Sequence, residues 1–296
     1  MALLAIILCL FLERVWTTLA ELRTFAWFER LVDRIQGKDR QHLWSGALGV
    51  VAALALPLAA LLIAQYVLVK ILVLFDFVFA VAVLLYSLGP RDLDSDVHRF
   101  LNAWEQGDDA KAQDYAQRIY PVTAKRFDTG SLGRCVVEGT LVAAHERWFG
   151  VIFWFVILGP LGALWYRLAC VLREKCLRQS EEEDAFKDAA LMMHHILAWI
   201  PVRLALFSYA LVGNFAEALE AWRREAYGWK NNWLMDNRQL LIRVGLGALQ
   251  LEQDMAADEI SAVDARHVRA ALGLVLRALI LAIVLIAVVT VGAWVS

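Results

Sequence analysis

Residues able to do chemistry stand where charge interrupts apolar sequence. The run Ala198-Trp199-Ile200-Pro201-Val202-Arg203-Leu204-Ala205-Leu206 sets one arginine between two apolar helical stretches, just past a proline. Proline lacks the N–H that would bond the carbonyl four residues earlier, so it ends or kinks the helix. A guanidinium is planar, permanently charged and long enough to take up a freed carbonyl or an anion. Arg203 is therefore either a structural tie on a kinked interfacial helix or an anion-binding group. Glu13-Arg14 close the first apolar run. They are either an interfacial anchor or the rim of a polar cleft at the cytoplasmic surface. Asp76 lies inside an apolar run, and an intramembrane acid needs a partner, a cavity or a path to the interface. Arg277 is eleven residues past Arg266. The two share a helical face, and snorkelling to the interface accounts for Arg277.

Templates for metals and nucleophiles fail. His145-Glu146 would need a histidine at Phe149 to make HExxH. His194 and His195 are adjacent, so on a helix they point about 100° apart. Cys9, Cys135, Cys170 and Cys176 form no CxxC pair and read as buried thiols in a reducing compartment. The sequence calls for no metal and no cofactor. Gly130-Ser131-Leu132-Gly133-Arg134, before a helix at Cys135–Ala144, is either a plain cap or a backbone anion cradle.

The elements that must hold these residues are helices, most of them in a membrane. The chain has 296 residues, is 60% hydrophobic, and has a mean hydropathy of +0.54. Soluble domains are nearer half apolar, so the excess must face lipid. A net charge of −2 directs no field at nucleic acid, which is excluded as a partner. The opening run lacks a basic start and a small-residue cleavage site, so it is expected to stay as a short membrane helix. Leu43 to Pro90 holds only Lys70 and Asp76 as charges. It is long enough for spans at about 44–64 and 70–88, with a turn near Gln65–Lys70. The run WFGVIFWFVILGPLGALW is broken at Gly159-Pro160, so it either re-enters on one side or crosses and pairs with Ile196–Gly213. Leu272 to Val295 forms a last span.

Between the runs, Gly107-Asp108-Asp109 separates two amphipathic helices. Ser180 with Glu183 forms a capping box, and Asn214 caps a further helix. No period-two pattern indicates a sheet. The fold class is all-α, a polytopic integral membrane protein with a helical cytoplasmic lobe. The parts are a membrane helix, basic surface segment and membrane hairpin at 1–90, helical cytoplasmic segments at 91–147 and 214–270, broken membrane or interfacial helices at 148–213, and a C-terminal span at 271–296. Lys and Arg number six in 13–42, eight in 91–147, thirteen in 166–270 and none after Arg277. That asymmetry places the basic segments in the cytoplasm and the C-terminus outside.

The block WIPVRLALFSYALVGNFAEALEAW resembles the signature of the AmpE family, inner-membrane proteins linked to β-lactamase induction. ILCLFLERVW resembles that family's N-terminus, and ERWFGVIFWFVILGPLGALWYRL its central membrane segment. AmpE in turn is similar to the CobD/CbiB family, membrane enzymes of cobalamin synthesis that join an aminopropanol group to a corrinoid carboxylate. That second resemblance runs from about His98 to Leu206. It includes Glu138, Gly159-Pro160, Tyr166-Arg167 and Trp199-Ile200-Pro201 with Arg203. The cobalamin enzymes carry an acid-and-asparagine cluster where this chain has the apolar run Gly139–Ala144. They have paired acids where it has His194-His195, and an asparagine where it has Ala198.

The resemblance implies an inner-membrane regulatory or sensory protein of the β-lactam response. The alternative is a synthetase of the cobalamin type. Glu13, Arg14, Glu138, Arg147, Arg167 and Arg203 are the ligand-binding candidates, suited to an anion. Glu13, Glu138, Arg167 and Arg203 are expected to meet in one cleft. The implied partners are membrane lipid, an anionic small molecule, and a second copy or another inner-membrane protein.

Overall fold

The computed structural model describes residues 2–15, 24–36, 46–71, 73–89, 93–120, 132–179, 185–227, 237–251 and 263–295. Every regular element among them is helical, as expected of a polytopic membrane protein. In chain order the helices are α1 (Ala2–Val15), α2 (Ala26–Ile35), α3 (Ala47–Ile71), α4 (Val73–Ser87), α5 (Leu93–Glu105), α6 (Asp109–Ile119), α7 (Leu132–Ala144), α8 (Gly150–Gln179), α9 (Ala185–Val212), α10 (Phe215–Tyr227), α11 (Asn237–Ala248) and α12 (Ala265–Val295). A π-helical turn, His145–Phe149, joins α7 to α8.

By length and composition, Ala47–Lys70, Leu132–Arg178, Ala185–Val212 and Ala265–Gly292 could cross a membrane. Large apolar side chains stand exposed on α3 (Leu48, Leu56, Ile63) and α12 (Ile280, Val284, Val288). Lipid is the solvent that suits such faces. Gln65–Lys70 is not a turn: α3 runs to Ile71 and α4 begins at Val73. The residues QYVLVK include no glycine or proline to stop a helix. Asp76 in the first turn of α4 accepts a hydrogen bond from the Gln65 amide at 3.3 Å, so its partner lies on the preceding helix.

The chain divides into two compact units. The first comprises Met1–Pro90 and Glu146–Ala198. Here α8 packs against α1, α2, α3 and α4. Its core includes Phe28, Val32, Leu54, Leu168, Leu172 and Phe186. Helix α2 is amphipathic and buries Phe28 and Val32. The buried Lys175 of α8 ties it down, 2.6 Å from Asp33 Oδ1, and also donates to the Glu29 carbonyl. The aromatic entry to α2 is fixed by Trp27 donating to the Tyr86 hydroxyl at 2.8 Å and Tyr86 donating to the Thr24 carbonyl at 2.9 Å.

Within this unit, α8 is two limbs rather than one rod. Gly159 has φ 64° and ψ −148°, a non-helical conformation that side chains disfavour. Pro160 follows in the first turn of the returning limb, where no N–H is required. The limbs fold back on each other. A Cβ on Gly150 would lie 2.2 Å from the Tyr166 ring, and one on Gly162 would lie 2.2 Å from the Trp154 carbonyl oxygen. Trp154 and Trp165 have ring centroids 5.7 Å apart, and Arg173 donates to Glu146 at 3.0 Å. In a straight helix residues 150 and 166 would be about 24 Å apart. The Gly-Pro break is thus the turn of a helical hairpin.

The second unit comprises Arg91–His145 and Trp199–Ser296. Helix α7 packs against α5, α6, α11 and α12, and α10 against α11. Its buried side chains include Val136, Val137 and Leu141. The α5–α6 turn is built as expected. Gly107 has φ 74°, and the Asp108 carboxylate caps α6 by accepting from the Lys111 N–H at 3.2 Å. Asn214 caps α10, accepting from the N–H groups of Ala216 at 3.1 Å and Glu217 at 3.2 Å. The Ser180–Glu183 capping box lies outside the described residues.

Candidate functional site

In the first unit the candidates are Glu13, Arg147 and Arg167. Glu13 is buried near the end of α1, a helix that packs on α4 and α8. The side chain of Arg14 lies outside the described residues. Arg147 is half-buried in the π turn, a widened helical register common at functional positions. Arg167 is buried at the base of the hairpin. Its guanidinium carbon lies 5.4 Å from the Phe25 ring centroid. The backbone at Gly89 closes over it, and a Cβ there would lie 2.8 Å from Nη2. Gly89 has φ +105°, so glycine is required twice over, for conformation and for space. The Arg167 Nε has no hydrogen-bond partner among the described residues.

Near the same hairpin base lie groups that spacing did not single out. Glu146 and Arg173 pair at 3.0 Å, both largely shielded from solvent. The fully buried Tyr166 faces His194, with ring centroids 6.0 Å apart. Glu146 and Arg173 are 27 residues apart in sequence, and only the reversal at Gly159 brings them together.

In the second unit Glu138 accepts from Arg134 Nε at 2.9 Å along one face of α7. Arg203 is more elaborately held. Its Nη1 donates to the Trp199 carbonyl at 2.7 Å and to Asn237 Oδ1 at 3.0 Å. Its guanidinium carbon lies 4.1 Å from the Trp199 ring centroid. The carbonyl that Pro201 leaves free is a different one, that of Leu197. It accepts from Trp154 Nε1 at 3.0 Å, inside the first unit. Asn237 was missed in the sequence. Its only signal is an asparagine opening the α11 helical pattern, and it is buried.

Among the described residues no group of three His, Cys, Asp or Glu side chains is placed to hold a metal ion. The chemistry on offer is that of guanidinium and carboxylate groups at the ends of apolar helices. Such groups bind and orient anions.

A family model for CobD/Cbib protein matches residues 3–232, from α1 past the end of α10. The chain belongs to the CobD/CbiB family. Two curated relatives carry the name cobalamin biosynthesis protein CobD. The one from Chromobacterium violaceum is 28% identical over 228 residues, covering 75% of this chain and 72% of the relative. The one from Stutzerimonas stutzeri is 29% identical over 206 residues, covering 65% of this chain and 67% of the relative. No solved structure matches the chain.

These matches overturn the expectation of an AmpE-type regulator of β-lactamase induction. They support the cobalamin family instead. The blocks behind that expectation are elements of the fold. GPLGALWYR is the turn and returning limb of the hairpin, and WIPVRL is the proline-bearing stretch of α9. They specify how helices break inside apolar surroundings, so they carry little about regulation.

Proposed function

We propose that this membrane protein works in cobalamin biosynthesis, joining an amine of the aminopropanol class to a carboxylate of a corrinoid. The observation that carries the reading is the CobD/Cbib match over residues 3–232, which takes in nearly all of the first unit and much of the second. Amide formation from a carboxylate and an amine loses water. In an aqueous cell it needs an acyl-activating co-reactant of the nucleoside triphosphate class. The residues suited to holding the anionic groups are Arg147, Arg167 and Arg203. Glu13 and Glu138 are the acids available to orient the amine, and Arg14 is a further cation at the end of α1. The place of work under this reading is the bacterial inner membrane. A second copy of the chain or another inner-membrane protein is a further partner, to be sought by cross-linking in membranes.

Complementation tests the proposal. A bacterium lacking its own family member and supplied with the corrinoid acid should regain cobalamin-dependent growth when it expresses this chain. Purified protein should turn corrinoid acid, amine and nucleoside triphosphate into the amide, the cleaved nucleotide and phosphate or pyrophosphate, which carries away the carboxylate oxygen. Growth that stays cobalamin-dependent on added vitamin, despite folded protein in the membrane, would sink the reading. Arg203→Lys sharpens the test, because lysine keeps the charge but cannot make a planar contact. It should accumulate and melt like the parent and lose complementation. A parallel loss of stability and function would assign Arg203 to structure alone.

A further inference from the structure

We propose that the α8 hairpin is a re-entrant membrane element. In this assignment it enters and leaves one face of the bilayer, with its Val156–Leu158 tip among the acyl chains of that leaflet.

Four observations within the first unit converge on this. The limbs pack antiparallel, as the approach of Gly150 to Tyr166 and of Gly162 to Trp154 requires. The limb from Gly150 to Leu158 rises about 14 Å, near half of a ~30 Å hydrocarbon layer. At the tip Val156, Ile157 and Leu158 are exposed at 43%, 55% and 42%, and a Cβ on Gly159 would meet nothing within 4 Å. Three large apolar side chains so exposed beside a turn have no reason to face water. Between Trp148 and Tyr166 there is no charge; it appears only at the base, on both limbs: Glu146 and Arg147 before the hairpin, and Arg167, Arg173, Glu174, Lys175 and Arg178 on the returning limb. A crossing segment would put those two groups on opposite sides of the membrane, whereas the Glu146–Arg173 pair holds them together.

Backbone chemistry agrees. Irregular backbone survives at membrane depth only where its polar groups are satisfied or absent. Pro160 contributes no N–H at the turn. Trp154 on the entering limb donates to the Leu197 carbonyl at 3.0 Å and so anchors that limb to α9.

The test is sided labelling. Arg147→Cys and Arg178→Cys, made singly, are treated with a membrane-impermeant maleimide in intact spheroplasts and in inside-out vesicles. The four native cysteines give the background, and Cys9, Cys170 and Cys176 are buried. Both new cysteines should label from the same side and lose labelling from the other. Labelling from opposite sides would overturn the proposal, because the segment would then cross. Ile157→Cys carrying a bimane fluorophore reads depth in proteoliposomes. Its emission should be quenched more by acyl-chain nitroxide lipids than by headgroup nitroxides, and little by aqueous iodide. Strong iodide quenching would place the tip in water and equally overturn the proposal. If a variant fails to accumulate, Glu146→Cys replaces Arg147→Cys, and Leu158→Cys replaces Ile157→Cys.

Discussion

Pro160 and Pro201 both lie inside long apolar helices, and the chain treats them in opposite ways. At Pro160 the chain reverses; through Pro201 helix α9 continues to Val212. Both residues remove the same N–H, so the missing donor does not decide the outcome. The residue before the proline does. Gly159 adopts φ 64° and ψ −148°, which only glycine adopts readily. Ile200 is β-branched and stays helical. The second difference is supply. The carbonyl orphaned by Pro201 is that of Leu197, and Trp154 donates to it from outside the helix. A proline in an apolar helix is therefore a permissive site. Of these two prolines, the one after a glycine becomes a bend, and the one whose freed carbonyl meets a donor stays in a helix.

The largest effect should come from filling the space the bend needs. Gly150→Leu puts a side chain where even a Cβ would be 2.2 Å from the fully buried Tyr166 ring. Overpacking of this kind costs about 1–3 kcal/mol, and more when backbone must move. Gly159→Ala acts by conformation alone, since its Cβ would meet nothing within 4 Å. It should cost about 1–3 kcal/mol, the usual range for a sparsely populated backbone state. Melting of the detergent-solubilised protein should rank Gly150→Leu below Gly159→Ala, and both below the parent. A Gly159→Ala protein as stable as the parent would break the comparison, because the glycine would then not be what makes Pro160 a bend.

The helix that continues is tested by a double-mutant cycle. Trp154→Phe leaves the Leu197 carbonyl without its 3.0 Å donor. An unsatisfied buried acceptor costs about 1–3 kcal/mol. Pro201→Ala supplies an N–H four residues on, which satisfies the same carbonyl from within the helix. In the Pro201→Ala background, Trp154→Phe should therefore cost clearly less than in the parent, a coupling of about 0.5–3 kcal/mol. Simple additivity would mean that Trp154 contributes packing only.

The same contrast explains what was legible in the sequence. Local signals read correctly because partner and cap are close in the chain. The turn at Gly107-Asp108-Asp109 and the Asn214 cap are both built within a few residues. The Gly159-Pro160 break was legible as a break, but not its direction. Reversal depends on Gly150 fitting under Tyr166 and on Glu146 reaching Arg173, both non-local. Arg203 was legible as a special residue, but its partner Asn237 is 34 residues away. Residues 65–70 were misread as a turn because a long apolar run suggested two full spans. The Gly, Pro, Asn, Asp or Ser residues that mark a turn are absent there. Motif blocks around the prolines suggested a family that the comparisons do not support, since in this chain those blocks build the hairpin and the proline-bearing stretch of α9.

The smallest effect lies at the chain reversal outside the apolar runs, where the α5–α6 turn repeats the glycine device with different chemistry. Gly107 takes φ 74° as Gly159 takes φ 64°. The residue after it is Asp108, a helix cap, rather than a proline. In water the orphan N–H groups of a helix start can be met by a carboxylate; at membrane depth it is safer to have none. Asp108 receives side-chain and backbone hydrogen bonds from Lys111, which hold its carboxyl below the usual value of 3.8. Lys111 is raised above 10.5, chiefly by its hydrogen bond to Asp108. A carboxyl lowered on folding contributes stability above its unfolded pKa and loses it as pH falls through the folded value. A raised lysine contributes below its unfolded pKa and loses it as pH rises through the folded value. The pair therefore supports the turn from about pH 4 to about pH 10. Asp108→Asn keeps an oxygen to accept the Lys111 N–H but removes the ion pair. It should lower the melting temperature slightly at pH 7, and the difference from the parent should shrink as pH falls below 3.8 and through the lowered folded value. Asp108→Ala removes the cap as well, so its deficit should persist at acid pH, though smaller than at pH 7. A deficit for Asp108→Asn that does not shrink at acid pH would mean that the ion pair contributes nothing and that Asp108 acts as a cap alone.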